Sequence, residues 1–331
     1  MYIIAEFGNM HEGSVQLAKK FIEVGRDLGV DCVKFQAHYF HKESLLDAPS
    51  PSYFKSESRE SYFSRTSFTC EQWRELKLFS DSIGVDFMVS PFSEYAVDVL
   101  LEAGITRMKI ASGEVSNLPL LEYINDRADE IFLSSGMSSF IDIQKAVEVL
   151  NNPSLKRRVL FQCSSIYPCP PDKIGINVLS GFKEIFPHWE IGLSDHSISS
   201  VAGILAINSP CSVIEKHLTL SNLMYGSDAQ NSLEPGPFGL FVKNIREAEV
   251  IMNSPIDKDA EVETLGHMKN VFEKSIVYKR DIQKFKIISL EDLAFKKPGN
   301  GVPASLYKDF IGKTITRDVK ENQKLSETDF V

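Results

Sequence analysis

The chain has 331 residues, of which 43% are hydrophobic and 24% charged, with a formal net charge of −9. That length exceeds one small domain and suits a barrel of roughly 250 residues with an appendage; its core needs no disulfide or metal staple. The acidic balance excludes nucleic acid as a main partner, because phosphate-backbone binding needs a basic surface, but leaves open a small anionic substrate held by a few local lysines.

Met1 runs directly into Tyr2-Ile3-Ile4-Ala5 and the acidic Glu6, so no signal peptide is expected. Short apolar runs then alternate with helical patterns, the signature of repeated β/α units. Strands are predicted near 2–6, 31–36, 86–90, 106–110, 130–134, 159–163, 190–194 and 212–216. Helices are predicted at 14–28, 70–83, 93–103, 139–150, 198–207 and around 238–252, with Thr69 as the N-cap of the second. Eight such units point to a (β/α)8 TIM barrel, with an open doubly wound sheet as the alternative. The polar, aromatic segment 37–68 interrupts the rhythm after strand two and is expected to be a substrate-covering loop. The barrel is expected over 1–253 and a charged linker over 254–272. Residues 273–331, with short β segments and turns, form a separate small β-rich domain. Cysteines at 32, 70, 163, 169 and 211 make an odd set without a CxxC pair, the pattern of free thiols in a reducing cytoplasm. No run of 18 apolar residues is present, so no membrane span is expected.

In a barrel the C-terminal strand ends converge on one pocket. The strand ends here carry Glu6; Lys34 and Gln36; Ser90; Lys109, Ser112 and Glu114; Ser134; Ser164, Ser165 and Tyr167; Ser194, Asp195 and His196; and Glu215, Lys216 and His217. Lysines and serines suit a phosphate and a carboxylate. Lys34 and Lys109 lie in apolar runs, where an unpaired charge is costly; an anionic ligand satisfies both, and a structural salt bridge is the other answer. His196 and His217 on neighbouring strands can share a divalent metal with positions left open for water and substrate. Glu6 and Glu114 suggest acid–base or sugar-binding roles.

The ordered set AEFGNMHEGS, VKFQ, SPFS, KIASGE, LSSGM, CSSIYPCP, GLSDHS, EKHLTL and SLEP, followed by DLAFKKPGNG and LYKDFIGK, resembles the bacterial sialic acid synthases, meaning N-acetylneuraminate synthase and its legionaminic and pseudaminic acid relatives. The tail resembles their antifreeze-like (SAF) domain. The resemblance implies phosphoenolpyruvate held by Lys34, Ser90, Lys109, Ser112, Ser134, Ser165 and Ser194. It implies a divalent metal, typically Mn²⁺ with Mg²⁺ or Co²⁺ as alternatives, on His196 and His217. Glu6, Gln36, Glu114, Tyr167 and Asp228 would surround an open-chain amino sugar. It further implies a domain-swapped homodimer in which the tail, through Lys297, caps the partner's barrel. The chain departs from the family pattern at Met10, at Ser165, at the GSD of 226–228 and at Lys297, where the family has arginine. N-acetylmannosamine is the default acceptor and a 2,4-diacetamido-trideoxyhexose the alternative. Rival readings are a barrel that makes a 3-deoxy acid from a sugar phosphate, and a non-catalytic carbohydrate-binding protein.

Overall fold

The computed structural model describes residues 1–49, 57–226 and 228–331. Part of the 37–68 segment, and Ser227 of the 226–228 motif, lie outside the described residues. The chain divides into two compact units, residues 1–253 and 254–331.

Among the described residues of the first unit, eight parallel strands close into a barrel in chain order. They are β1 (Tyr2–Glu6), β2 (Cys32–Ala37), β3 (Asp86–Pro91), β4 (Arg107–Ile110), β5 (Glu130–Ser134), β6 (Arg157–Cys163), β7 (Glu190–Asp195) and β8 (Cys211–His217). Glu6 pairs in register with Lys34 on one side and His217 on the other. That closure excludes the open sheet, which would leave β1 and β8 without this pairing.

Strand side chains alternate with a period of two, and this sorts the core into two clusters. Ile3, Ala5, Val33, Phe35, Val89, Leu160 and Ile214 face outward and pack with residues of the helical ring, such as Phe21, Trp73 and Phe241. Ile4, Cys32, Met88, Phe132, Val159, Phe161 and Val213 face inward and fill the lower barrel. Gly192 makes room for one of them, since a Cβ there would stand 2.6 Å from the Phe161 ring. The apolar plug seals the lower barrel, so the next inward positions form a polar floor open only above.

The helices begin where capping chemistry favours them. Thr69 caps the Cys70–Ser82 helix in a reciprocal capping box with Gln72, and Ser139 does the same with Asp142 for Phe140–Val149. The 37–68 segment departs from the loop expectation, because Phe40–Glu43 and Arg59–Thr66 are helical. Ser58 caps the second of these, a signal of the same kind as Thr69. No helix among the described residues is long and apolar enough to cross a membrane.

The second unit opens with two short exposed helices, Lys258–Thr264 and Gly266–Phe272, in the segment read as a linker. Beyond them β9 (Ser275–Tyr278) pairs antiparallel with β10 (Leu293–Lys296). An internal repeat organises the rest. Arg280, Asp281, Ile282, Ser289 and Asp292 recur at a constant offset as Arg317, Asp318, Val319, Ser326 and Asp329. The two copies exchange backbone bonds between Ile282 and Val319 in both directions. Asp281 accepts from Glu321 N and Asp318 from Lys284 N, each at 2.8 Å. Buried Asp292 and Asp329 each close a capping box and bind the arginine of their own copy. A pseudo-twofold relation therefore holds this small core together without disulfides.

Candidate active site

The alternation that fills the barrel floor also selects its upper layer. Two positions above Ile4, Cys32 and Val213 stand Glu6, Lys34 and Glu215, joined from β4 by Lys109. Glu215 is the hub. It accepts from Lys109 Nζ at 2.7 Å and from Ser194 Oγ at 3.3 Å, and pairs with Lys34 Nζ at 3.1 Å. Lys34 also pairs with Glu6 at 3.3 Å, and Lys109 lies 4.2 Å above the Phe161 ring. Burial of both lysines is thus answered by carboxylates of the chain itself, and their position in apolar runs does not by itself require a ligand.

These groups set one another's protonation. Burial opposes charge on Glu215, but Lys109 and Lys34 outweigh it and hold the carboxyl well below the usual range. Burial also opposes charge on Lys34, yet Glu215 and Glu6 hold its ammonium above the ordinary lysine value. Lys109 is pulled down by burial, only partly offset by Glu215. Glu6 is pushed up to about 7, chiefly by burial against the pull of Lys34. A carboxyl poised near neutrality can take and return a proton.

Above this layer the strand ends diverge into three groupings. On β1 and β2, Gln36 Nε2 donates to Glu6 Oε1 at 2.6 Å. Asp228 leans over Gly8, whose left-handed backbone (φ +53°) and missing Cβ leave room for its carboxylate. A Gly8 Cβ would overlap Asp228 Oδ2 and lie 3.7 Å from Gln36 Nε2. On β4, β5 and β6, the hydroxyls of Ser112 and Ser165 converge on Gly136. A Cβ there would overlap Ser165 Oγ and stand 2.6 Å from Ser112 Oγ. This is a cradle that a side chain would fill, and it suits close approach by a phosphate. On β6, β7 and β8 two imidazoles meet, with His196 and His217 ring centroids 5.3 Å apart. Tyr167 stacks on His196 at 4.1 Å and brings its hydroxyl to Nε2 at 3.2 Å.

The imidazole pair fits a divalent metal on the residues present. Burial, reinforced by Lys34, lowers His217 to about 3, so the ring is neutral with a free lone pair. Its Nδ1 is buried without a hydrogen-bond partner. His196 Nδ1 is fixed by the Ser164 carbonyl at 2.6 Å, which turns Nε2 toward the cavity. Among the described residues no third His, Cys, Asp or Glu joins them, so a metal here would keep positions open for oxygen ligands.

Ser90, beside Gln36 in the register, has a buried hydroxyl without a hydrogen-bond partner. Ser134 is buried at the end of β5. Glu114 follows β4, but its carboxylate accepts from Asn117 Nδ2 at 2.8 Å and takes no part in the buried layer described above. Lys297 belongs to the second unit, where its ammonium lies 5.0 Å above the Phe272 ring.

Glu215 stood among the strand-end residues of the sequence reading without a role, and Gly136, Cys163 and His38 were given no place in the site. Carrying the period of two along β8 would have found Glu215, since Val213, Glu215 and His217 share the inward face while Lys216 points out to Asp195. Cys163, inward on β6, lies 4.0 Å from His196 Nδ1 and 3.6 Å from Ser112 Oγ. Nothing local marked Gly136 or His38.

Comparison with known proteins bears on the family and the fold. The NeuB family model matches residues 21–257, and the SAF domain model matches 273–331. The chain is 34% identical over 334 residues to an N,N'-diacetyllegionaminic acid synthase of Campylobacter jejuni, covering 98% of each. It is 29% identical over 332 residues to the N-acetylneuraminate-9-phosphate synthase of Homo sapiens, covering 98% of this chain and 91% of that one. Among solved structures, the N-acetylneuraminic acid (sialic acid) synthetase of Leptospira borgpetersenii superposes with a TM-score of 0.69 at 27% identity, over 82% of this chain and 92% of that one. Likeness over nearly the whole length, with the barrel and tail in the same order, shows that the chain belongs to the NeuB family of sialic, legionaminic and pseudaminic acid synthases and ends in a SAF domain.

Proposed function

We propose that this chain condenses phosphoenolpyruvate with an N-acetylated amino-sugar aldehyde and water, giving a nine-carbon nonulosonic acid and phosphate. The observation that carries this reading is the stacking of three features in one barrel mouth: the buried Lys34–Glu215–Lys109 layer, the Ser112–Ser165–Gly136 cradle and the imidazole pair. Together they offer positive charge, hydroxyl donors and a place for a Lewis acid within reach of one small anion.

In this reading the phosphate and carboxylate of phosphoenolpyruvate lie on Lys34, Lys109, Ser112, Ser165 and Ser194, with Ser90 and Ser134 completing the hydroxyl ring. His196 and His217 would hold the divalent metal, whose chemistry is to polarise the sugar aldehyde. C3 of phosphoenolpyruvate bonds to the aldehyde carbon. Water adds at C2, and the tetrahedral centre then loses phosphate by C–O cleavage. Glu6, poised near neutrality and bonded to Gln36, suits the proton transfers between water and the nascent sugar alkoxide better than Glu114, which is turned to Asn117. Gln36, Asp228 and Tyr167 line the sugar's side. The tail acts on a second subunit, with Lys297 closing the partner's pocket.

N-acetylmannosamine and a 2,4-diacetamido-trideoxyhexose are the two acceptors to weigh. The 34% identity to a diacetyllegionaminic acid synthase favours the second. The deciding experiment mixes phosphoenolpyruvate with a panel of N-acetylmannosamine, diacetamido sugars and sugar phosphates, then measures phosphate release and product mass. Release with an amino sugar, abolished by EDTA and restored by Mn²⁺, is the expected result. Turnover only with a sugar phosphate would support a 3-deoxy acid synthase. Sugar binding without phosphate release would support a carbohydrate-binding protein.

A further inference from the structure

The long segment after β2 buries a histidine that the mechanism above does not use. His38 is 6% exposed. Its ring is clamped between Phe63 and Phe92, with centroids 4.0 and 3.9 Å away and planes within 9° and 19°. Nδ1 faces Glu43 Oε1 at 2.7 Å, and Nε2 faces Gln36 Oε1 at 3.1 Å. The other Glu43 oxygen accepts from Tyr39 N at 3.2 Å. Gln36 in turn donates from Nε2 to Glu6 Oε1 at 2.6 Å. Glu43, His38, Gln36 and Glu6 therefore form one buried chain from the covering segment to the floor of the site.

The directions in this chain are constrained. A glutamine amide has one acceptor end and one donor end. With its NH₂ given to the Glu6 carboxylate, its carbonyl oxygen must face a donor, so His38 Nε2 carries a proton. The Glu43 carboxylate fixes a proton on Nδ1 in the same way. Each ring nitrogen thus faces an oxygen it can donate to, Glu43 Oε1 from Nδ1 and Gln36 Oε1 from Nε2. While Glu6 is ionised and Nε2 carries its proton, flipping the amide would set its carbonyl against the Glu6 carboxylate and leave its NH₂ facing an N–H, a loss on both sides.

We propose that His38 is a positioning residue for sugar recognition: held by Glu43 and two aromatic faces, it locks the Gln36 amide so that its NH₂ stays on Glu6 at the sugar's side of the site. A site built to hydrogen-bond a hydroxyl or amide discriminates by the fixed direction of its donors, and a freely rotating glutamine lacks that direction. The inference rests on the reading that Gln36 and Glu6 meet the sugar, and its test separates the two.

His38→Phe keeps a planar ring between Phe63 and Phe92 but removes both donors. With the amino sugar that the panel identifies, this variant should raise the sugar KM about tenfold, the scale of one buried hydrogen bond, with the phosphoenolpyruvate KM within about twofold of wild type. Adding His38→Phe to Gln36→Ala should change the sugar KM no further, because two residues of one network are not additive. Equal rises in both KM values, or an additive double variant, would overturn the proposal. A second measurement needs no turnover. In protein labelled with ¹⁵N at histidine and glutamine side chains, one imidazole should show two ring N–H groups. That signal should vanish in His38→Phe and lose one proton in Glu43→Gln, while the Gln36 amide signal moves in both. A single ring N–H on His38, or an unmoved Gln36 amide, refutes the lock even if no sugar in the panel reacts. A silent panel with these spectra intact refutes the proposed reaction instead.

Discussion

Glu215→Gln tests the idea that one carboxylate holds two buried cations. The substitution keeps shape and a hydrogen-bond acceptor but removes the charge facing Lys109 at 2.7 Å and Lys34 at 3.1 Å. Lys34 retains Glu6. Lys109, 1% exposed, is left over the Phe161 ring with no other carboxylate paired to it among the described residues. Removing one member of a buried pair costs about 3–5 kcal/mol. An independent ceiling agrees. Lys109 can escape by shedding its proton, and at pH 7 that costs about 1.4 kcal/mol for each pH unit below the ordinary lysine value, or about 5 kcal/mol in all. We therefore expect the barrel to lose about 3–4 kcal/mol. Urea is the denaturant of choice because it does not screen charge. Both tryptophans, Trp73 and Trp189, are buried in the barrel unit, so their fluorescence reports that unit rather than the tail. Inorganic phosphate should stabilise the variant more than the wild type, since it finds two lysines without their shared partner. Saturation at about 100 times its Kd would return about 2.7 kcal/mol. A midpoint within about 0.5 kcal/mol of wild type, or equal phosphate stabilisation of both proteins, would show that Glu215 is not the hub.

Gly136→Ala puts a methyl into the Ser112–Ser165 cradle and should raise the phosphoenolpyruvate KM by about tenfold or more, about 1.4 kcal/mol, with the sugar KM little changed; unchanged phosphoenolpyruvate kinetics would remove the cradle from the site. His11 is buried against Phe68 and Phe35, and burial lowers it to about 3 from 6.5. As pH falls below 6.5 the unfolded chain takes up a proton that the folded ring refuses until about pH 3, so stability should fall by about 1.4 kcal/mol per pH unit from this group. Urea titrations at several pH values should show a shallower slope for His11→Phe, and coincident slopes would refute the assignment. Mixing Lys297→Ala with His217→Ala protein should partly restore activity if the tail works across a dimer, because the mixed dimer has one site spoiled twice and one intact; no recovery after demonstrated subunit exchange would place Lys297's action, if any, on its own barrel.

The sequence alone determined the barrel and its order. Strand propensity and a period of two are local properties, so YIIAE, CVKFQ and EIFLS announced themselves as strands, and Thr69 announced the start of a helix. The chemistry-bearing positions were legible for the same reason, because a residue at a strand end has only one place to go in a closed barrel. The helix at Arg59–Thr66 and the repeat relating Arg280–Asp292 to Arg317–Asp329 were present in the residues, the first behind the cap at Ser58, yet neither has strong apolar periodicity to betray it. Tertiary structure alone decided the pairings. That Lys34 and Lys109 share Glu215, and that Ser112 and Ser165 crowd Gly136, depends on strands far apart in the chain meeting around one axis. His38 reaching back to Gln36 depends on a local fold of the chain just after β2 that has no periodic signature. Charge partners across a barrel are set by closure and register, which no single strand encodes.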